Sequence, residues 1–466
     1  MDLLIKGGTV VTAQEMVRAD VGIEGGKVVE VASHIDATAA KKVVDASGKY
    51  VMPGAIDAHT HFKMPFMGAY TTDDFLTGTR SAAAGGVTCI IDFALQSKGG
   101  SLKQALETWK GMAEGNAIID YAFHIAITDC TPSILDEIKD MVQEGVTSFK
   151  FFMAYKGSLM VDDAALFESL RVTSECGALG AVHAENGFII DVLQKEAVAR
   201  GNVAPKYHAL TRPPEAEGEA TRRAISLAKM AGAPLLVVHV SAKEAVRAIE
   251  EARMAGQIVY GETCPQYLGI IDASNYEEPD FGGAKYVCSP PLRTKDHPPV
   301  LWDALRFGFL QEVSSDHCSF DFNGQKRLGK DDFRAIPNGC PGVETTLGVL
   351  HNEGVNKGRI SLNQLVALVS TNSAKIYGLY PQKGTIAVGS DADIVIFDPD
   401  KELVVSQKIM HHAVDYTPFE GYSVKGWPVM TISRGEIIYE DGEVKGAPGR
   451  GKFVPRKPIN TKLLLA

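Results

Sequence analysis

The sequence predicts an α/β protein, a (β/α)8 TIM-like barrel with a small β-sandwich domain built from both chain ends. Two observations carry this. Between about residues 53 and 320, short β-rich runs alternate eight times with helical, Ala/Leu-rich segments, and short strands of antiparallel texture recur near both termini. At 466 residues with 45% apolar side chains, the chain can fill one large core and a smaller one.

The candidate barrel strands are AIDAHTH, VTCIIDF, YAFHIAI, SFKFFMAY, GALGAVHAE, LLVVHVS, IVYGETC and QEVSSDH, with candidate helices at residues 74–84, 216–230 and 242–255 between them. Parallel neighbours need crossovers of this length, and eight strands close a barrel. Residues 1–52 alternate apolar and polar positions around Gly7-Gly8 and Gly25-Gly26, as short antiparallel strands do. The same texture returns late in the chain with DIVIFDP and VMTISRGEIIYEDG. The expected division is therefore 1–52 and 383–445 for the two parts of the sandwich and 53–382 for the barrel, which includes a helix at 362–377. Residues 446–466 are rich in Gly and Pro and carry Arg450, Lys452, Arg456, Lys457 and Lys462 without an acidic residue. They read first as a solvated C-terminal arm and second as a segment packed on a neighbouring subunit.

Composition narrows the function. The balance of 47 basic against 57 acidic side chains gives −10, which opposes general attraction to nucleic acid or anionic membranes and favours a small-molecule substrate. Asp2 and Lys6 interrupt the apolar stretch that a secretory signal requires, and no apolar run has membrane-spanning length. The seven cysteines are scattered and never form CxxC, which suits reduced thiols, a cytoplasmic location and no structural cysteine zinc.

Candidate chemistry gathers at the strand ends. His59 and His61 lie two apart, so the period of a strand turns both to one face. His183, His239 and Asp316 close later strands, and the C-terminal mouth of a barrel is where such ends converge. Together they have the makings of a metal site. Lys150, between Phe149 and Phe151, sits inside what should be a buried strand, where an ammonium is costly. Either it snorkels out or pairs with a carboxylate such as Asp316, or its amine is N-carboxylated, giving an anion whose two oxygens bridge two metals. Two dications among four imidazoles then gain two protein anions, the carbamate and Asp316. Such a pair lowers the pKa of a shared water and polarises a scissile carbonyl. Tyr155, just past the Lys150 strand, is a candidate oxyanion donor, and Asp316 a candidate proton shuttle. His124, His208, His317, His411 and His412 show no comparable pattern and read as structural.

With these residues the chain resembles the dihydropyrimidinase and hydantoinase family of metal-dependent amidohydrolases over essentially its whole length. The resemblance rests on PGAIDAHTH, SFKFFMAYKG, VHAENG, VVHVS, GETCPQYL, SPPLR, SDHCSF, IPNGCPGVE and GTIAVGSDADIVIFDP. It implies two divalent metal ions per subunit, zinc being the expected one. His59, His61, carboxylated Lys150 and Asp316 would hold the more buried ion; Lys150, His183 and His239 would hold the other. It implies Tyr155 as oxyanion partner, Ser289 and Asn338 as substrate-binding residues acting mainly through backbone groups, and a homotetramer. The implied reaction is hydrolytic opening of 5,6-dihydropyrimidines and 5-substituted hydantoins to N-carbamoyl amino acids. Allantoinase-like or dihydroorotase-like activity and a non-catalytic scaffold are the alternatives. Lys63, Ser319 and Thr346 depart from the family pattern; the first bears on substrate range, the others on local packing.

Overall fold

The computed structural model describes residues 1–460. Eight parallel strands form one sheet in sequence order: β1 (Ala55–Thr60), β2 (Val87–Leu95), β3 (Asp120–Ala126), β4 (Ser148–Phe152), β5 (Leu179–His183), β6 (Leu235–Val237), β7 (Val259–Thr263) and β8 (Glu312–Val313). All eight expected strands are present. They are almost wholly buried, because side chains fill the barrel on one face and helices cover the other; hence their nearly continuous Val/Ile/Ala/Phe character.

The last seam is made by the turn beyond β8. His61 N donates to His317 O at 2.9 Å and His317 N donates to His59 O at 3.3 Å, a parallel bridge that closes the barrel at its C-terminal rim. That seam seats Asp316 beside the two histidines of β1.

Three strands stop sooner than the sequence suggests: β4 at Phe152, β6 at Val237 and β8 at Val313. Tyr155, His239 and Asp316 have φ of 63°, 41° and 51°, the left-handed region that a side chain with a Cβ normally avoids. A left-handed residue cannot continue a ladder, so these side chains are presented from turns just past the strands. Such strained backbone concentrates at functional sites.

The helices follow their local signals. Asp74 accepts from Leu76 N and Thr77 N and caps Phe75–Ala84; Pro214–Ala231 ends at Gly232 with φ 63°; Lys243–Met254 fills the next crossover. The helix expected at 362–377 runs from 362 to 376, with its middle turn, Ala367–Thr371, widened to π geometry. Gly54, at the entrance to β1, is required by contact: a Cβ there would lie 2.2 Å from Thr88 Oγ1.

Both chain ends build the sandwich. One sheet orders Lys27–Ala32, Asp20–Glu24, Leu3–Lys6 and Lys42–Asp45. The other combines Met16–Arg18, Thr9–Val11 and Tyr50–Pro53 with Ile394–Val404, Ser423–Ser433, Glu436–Glu440 and Glu443–Val444. Leu3, Ile5, Val21 and Ile23 share one apolar core with Ile394, Ile396 and Ile432. A buried ammonium joins sandwich to barrel: Lys383 Nζ lies 2.9 Å from Asp120, 3.1 Å from Asp391 and 2.5 Å from Asp393. The three carboxylates have the spacing of a cation site, and Lys383 is the cation that fills it. Breaking such a buried set costs about 3–5 kcal/mol.

The described part of the C-terminal arm, to residue 460, is docked on the barrel rather than free, although many of its side chains face solvent. Gly451 N donates to Ala117 O, Val454 N to Tyr121 O, Arg456 N to Gly145 O and Ile459 N to Gly177 O, so the segment seals the N-terminal end of the barrel beneath β3, β4 and β5. Arg456, 3% exposed, donates through Nη1 to Ser148 Oγ at 2.8 Å and through Nη2 to Phe123 O. A basic, Gly/Pro-rich composition looks like solvated chain, but the carbonyls and hydroxyl at the open strand starts give this guanidinium its partners. Lys462 lies outside the described residues. Among those residues, no helix is long and apolar enough to cross a membrane.

Candidate metal and substrate site

The predicted site residues meet at one place. His59, His61, Lys150, Tyr155, His183, His239, Ser289, Asp316 and Asn338 all line a narrow cleft of about 50 Å³ at the C-terminal mouth of the barrel. Asp316 Oδ1 stands 3.4 Å from His59 Nε2 and 3.2 Å from His61 Nε2. His183 Nδ1 faces His239 Nε2 at 2.9 Å. Lys150 is 1% exposed, and its ammonium rests near aromatic faces, 5.0 Å from Phe93 and 5.4 Å from Phe152. It neither snorkels out nor pairs: among the described residues, no carboxylate oxygen lies within 4.0 Å of it.

Partners behind the imidazoles fix which nitrogen is bare. His59 Nδ1 is 2.7 Å from Glu262 Oε1, and His183 Nε2 is 2.7 Å from Glu185 Oε2. With each imidazole donating to its carboxylate, His59 Nε2 and His183 Nδ1 turn lone pairs into the cleft. Burial drives His59 and His239 well below the usual imidazole range and lowers His183, so the rings are neutral. His59 Nε2 and Asp316 Oδ1 converge there on one point. His61 Nδ1 and His239 Nδ1 are buried without a partner. A cation resolves this arrangement, and the donor set suits a divalent ion of zinc type.

Charges are set by the same surroundings. Burial pushes Asp316 up, but His59 and the hydrogen bond to His61 outweigh it and hold the carboxyl below its ordinary value. Burial pushes Glu185 up as well, yet Arg212 and His183 bring it to about 2; Arg212 Nη1 donates to it at 2.6 Å. Burial pushes Glu262 up, a rise that the neighbouring Lys150 opposes, and burial lowers Lys150 to about 8. It raises the Tyr155 phenol to about 12, so Tyr155 remains a neutral donor. Asn338 Nδ2 lies 3.3 Å from Tyr155 Oη and 3.0 Å from Ser289 Oγ. Because the Tyr155 oxygen accepts from Asn338, its own proton is free for another acceptor.

Met64, Phe66, Phe93, Leu95, Phe152 and Leu159 make the apolar wall. Three of them, Met64, Phe66 and Leu159, come from the loops after β1 and β4, whose conformation the sequence does not reveal. Lys63 is exposed, its ammonium 5.9 Å from the Tyr70 ring, and does not line the cleft. Ser319 Oγ accepts from Asp73 N and Thr346 Oγ1 donates to Gly342 O, both local packing. His124 bonds Ser148 Oγ and Ala58 O, His317 pairs with Asp73 and His411 with Glu344, each structural as expected.

Glu262, Glu185, Arg212 and Asp57 escaped the sequence reading. Glu262 carried the signal that marked Lys150, a charged residue inside a buried strand; Asp57 and Glu185 sit two residues from His59 and His183. Asp57 accepts from His59 N and Ser315 N, tying β1 to the turn that carries Asp316.

A barrel mouth that gathers neutral imidazoles, carboxylates and a buried lysine around an apolar cleft defines a metal-dependent barrel hydrolase. The chain belongs to the amidohydrolase family, which matches residues 50–438, and within it to the D-hydantoinases and dihydropyrimidinases. The D-hydantoinase of Geobacillus stearothermophilus is 54% identical over 457 residues, covering 98% of this chain and 97% of that one. That of Ralstonia pickettii is 48% identical, covering 98% and 99%. The crystal structure of the dihydropyrimidinase from Brevibacillus agri superposes with a TM-score of 0.97 at 54% identity, covering 99% of this chain and 100% of that one.

Proposed function

We propose that the chain opens 5,6-dihydropyrimidines and 5-substituted hydantoins by hydrolysis of the ring amide, giving N-carbamoyl amino acids. The observation that carries this reading is the convergence of His59, His61, Asp316, His183, His239 and the unpaired Lys150 beside Tyr155, Ser289 and Asn338 in one cleft.

Two divalent ions, zinc being the expected pair, fit these residues: His59, His61 and Asp316 for one, His183 and His239 for the other, with N-carboxylated Lys150 shared. Carboxylation forms one N–C bond between the neutral amine and carbon dioxide and releases one proton. A buried amine lowered to about 8 supplies the neutral form near physiological pH. Bound ions of this kind supply a water acidified to near neutrality and polarise the carbonyl.

The protein's own groups do the rest. Ser289 and Asn338 hold the cyclic diamide through backbone groups and present one ring carbonyl to Tyr155, whose Oη proton stabilises the developing oxyanion. Asp316 takes the proton of the attacking water and passes it to the ring nitrogen as the C–N bond breaks, so hydroxyl and proton of one water end on carbon and nitrogen. The apolar wall excludes bulk water and receives the ring substituent.

Glu262 orients His59 and makes no bond to substrate. Glu262→Gln is expected to weaken metal retention by about 10- to 100-fold. Titration of the apo-variant with zinc checks it, and wild-type affinity would remove the orienting role.

We further assign a homotetramer in the cytoplasm. Seven free cysteines support the location, and the exposed Phe188, Ile189 and Val192 on one helix support association. Light scattering tests the latter. The activity itself is tested by ring-opening of dihydrouracil, 5-substituted hydantoins, allantoin and dihydroorotate side by side, using zinc-loaded protein. Turnover of the first two is expected. Turnover confined to allantoin or dihydroorotate would move the chain to a different substrate, and none at all would favour a scaffold.

A further inference from the structure

We propose that Lys326 is the positioning residue that aims the substrate-recognising backbone at Asn338, and that it does so by anchoring three carbonyl groups beneath the cleft. Lys326 is 0% exposed and sits in a short turn, Gln325–Gly329, downstream of Asp316. Its Nζ donates to Val287 O and Pro337 O at 2.8 Å each and to Gly339 O at 2.7 Å. An ammonium has three N–H donors, and all three are spent on main-chain oxygens. Among the described residues, no carboxylate pairs with it. Carrying a buried cation is expensive unless its bonds hold something in place.

What they hold is the floor of the substrate cleft. Val287 lies two residues before Ser289, and Pro337 and Gly339 flank Asn338. A trans peptide is planar, with its C=O and N–H pointing opposite ways. Anchoring Pro337 O on Lys326 therefore drives the Asn338 N–H in the opposite direction, away from Lys326. Among the described residues, that N–H has no acceptor, and Asn338 lines the cleft.

The segments cannot settle elsewhere by sliding. Gly339 N donates to Val287 O at 2.9 Å, joining the two loops. Gly339 has φ 146°, and a Cβ there would lie 2.3 Å from Cys318 O. A Cβ on Gly329 would lie 2.2 Å from Ile336 Cγ1, so the Lys326 turn rests directly on the Asn338 loop. His208 serves the other loop in the same manner. Its Nε2 donates to Cys288 O at 2.8 Å, which turns the Ser289 N–H the opposite way. Ser289 and Asn338 thus offer backbone groups preset by buried cationic and imidazole donors rather than by their own side chains, which keeps recognition independent of side-chain rotamers.

The proposal rests on the reading that the backbone of Ser289 and Asn338 holds a cyclic amide. Holoenzyme carrying Lys326→Met, a side chain of similar length without donors, is expected to retain wild-type metal content. Its kcat/KM should fall about 10- to 100-fold, mainly through a raised KM, with kcat much less affected. A lysine that only stabilised the fold would not produce that split. Unchanged KM, or a loss carried by kcat alone, overturns the proposal. If the methionine variant does not accumulate, Lys326→Gln, which keeps two donors on a shorter chain, decides: a raised KM with intact metal content supports positioning, and a wild-type KM overturns it. Wild-type protein that opens no cyclic amide sinks the reading underneath, whereas active wild type with an indifferent Lys326 variant sinks this proposal alone.

Discussion

Lys150→Ala is expected to strip the cleft of tightly held metal and to lower ring-opening by about 1,000-fold or more. The physical reason is charge. The described cleft offers neutral imidazoles and one ionised carboxyl, Asp316, to the two dications proposed above. Without a second anion from the carboxylated lysine, the like charges are under-compensated in a low-dielectric site. Metal-assisted polarisation supplies several kcal/mol to a transition state, and each 1.36 kcal/mol is about tenfold in rate. The variant removes only a side chain pressed against Phe93 and Phe152, so the space it leaves is lined by carbon and lies beside both metal positions. Small carboxylic acids such as acetate or propionate can enter that space and are expected to restore part of the activity in proportion to their concentration. Metal content, turnover and rescue measured on one preparation check the account. An alanine variant that keeps two metals and wild-type turnover would falsify the bridging role.

The barrel was legible because its physics is repetitive. Strands such as VTCIIDF are mostly apolar for the simple reason that both faces are covered, and the helices between them begin at residues like Asp74 that satisfy loose N–H groups. The metal-ligand candidates were legible for the opposite reason: a histidine, lysine or aspartate at the end of an apolar run contradicts its surroundings, and six such contradictions fell at one rim. What escaped was set by three-dimensional partnership. Glu262 and Glu185 give their meaning to His59 and His183 only once the strands are adjacent. The left-handed turns at Tyr155, His239 and Asp316 carry little signature in residue type, since none is glycine and the aspartate and histidine that tolerate this region adopt it only occasionally. Arg456 and Lys326 show the same limit. Each looks like an ordinary surface cation in sequence, and each is buried because main-chain oxygens left over at strand starts and loops need donors.

Asp316→Asn is expected to reduce kcat by about 100- to 10,000-fold while KM changes little. The amide is the same size and keeps an oxygen able to face His59 and His61, but it cannot receive the proton of the attacking water. Burial alone would favour the protonated acid; His59 and the hydrogen bond to His61 overcome it, so the folded carboxyl titrates below 3.8. The sign follows: a group whose pKa is lowered stays ionised at every pH above that range, so Asp316 is ready as a base across neutral pH, and a loss of activity between pH 8 and 6 has another origin. Ligation and proton transfer can be told apart in the same variant. If metal remains bound and kcat falls, the missing proton acceptor accounts for the loss. If metal is lost and excess zinc returns full activity, Asp316 acts as a ligand only, and the proton must travel by another route. The left-handed turn at Asp316 favours the first outcome, because it holds the carboxyl at the cleft rim, where Oδ1 meets two imidazoles and leaves Oδ2 as the second oxygen of the same group for the proton.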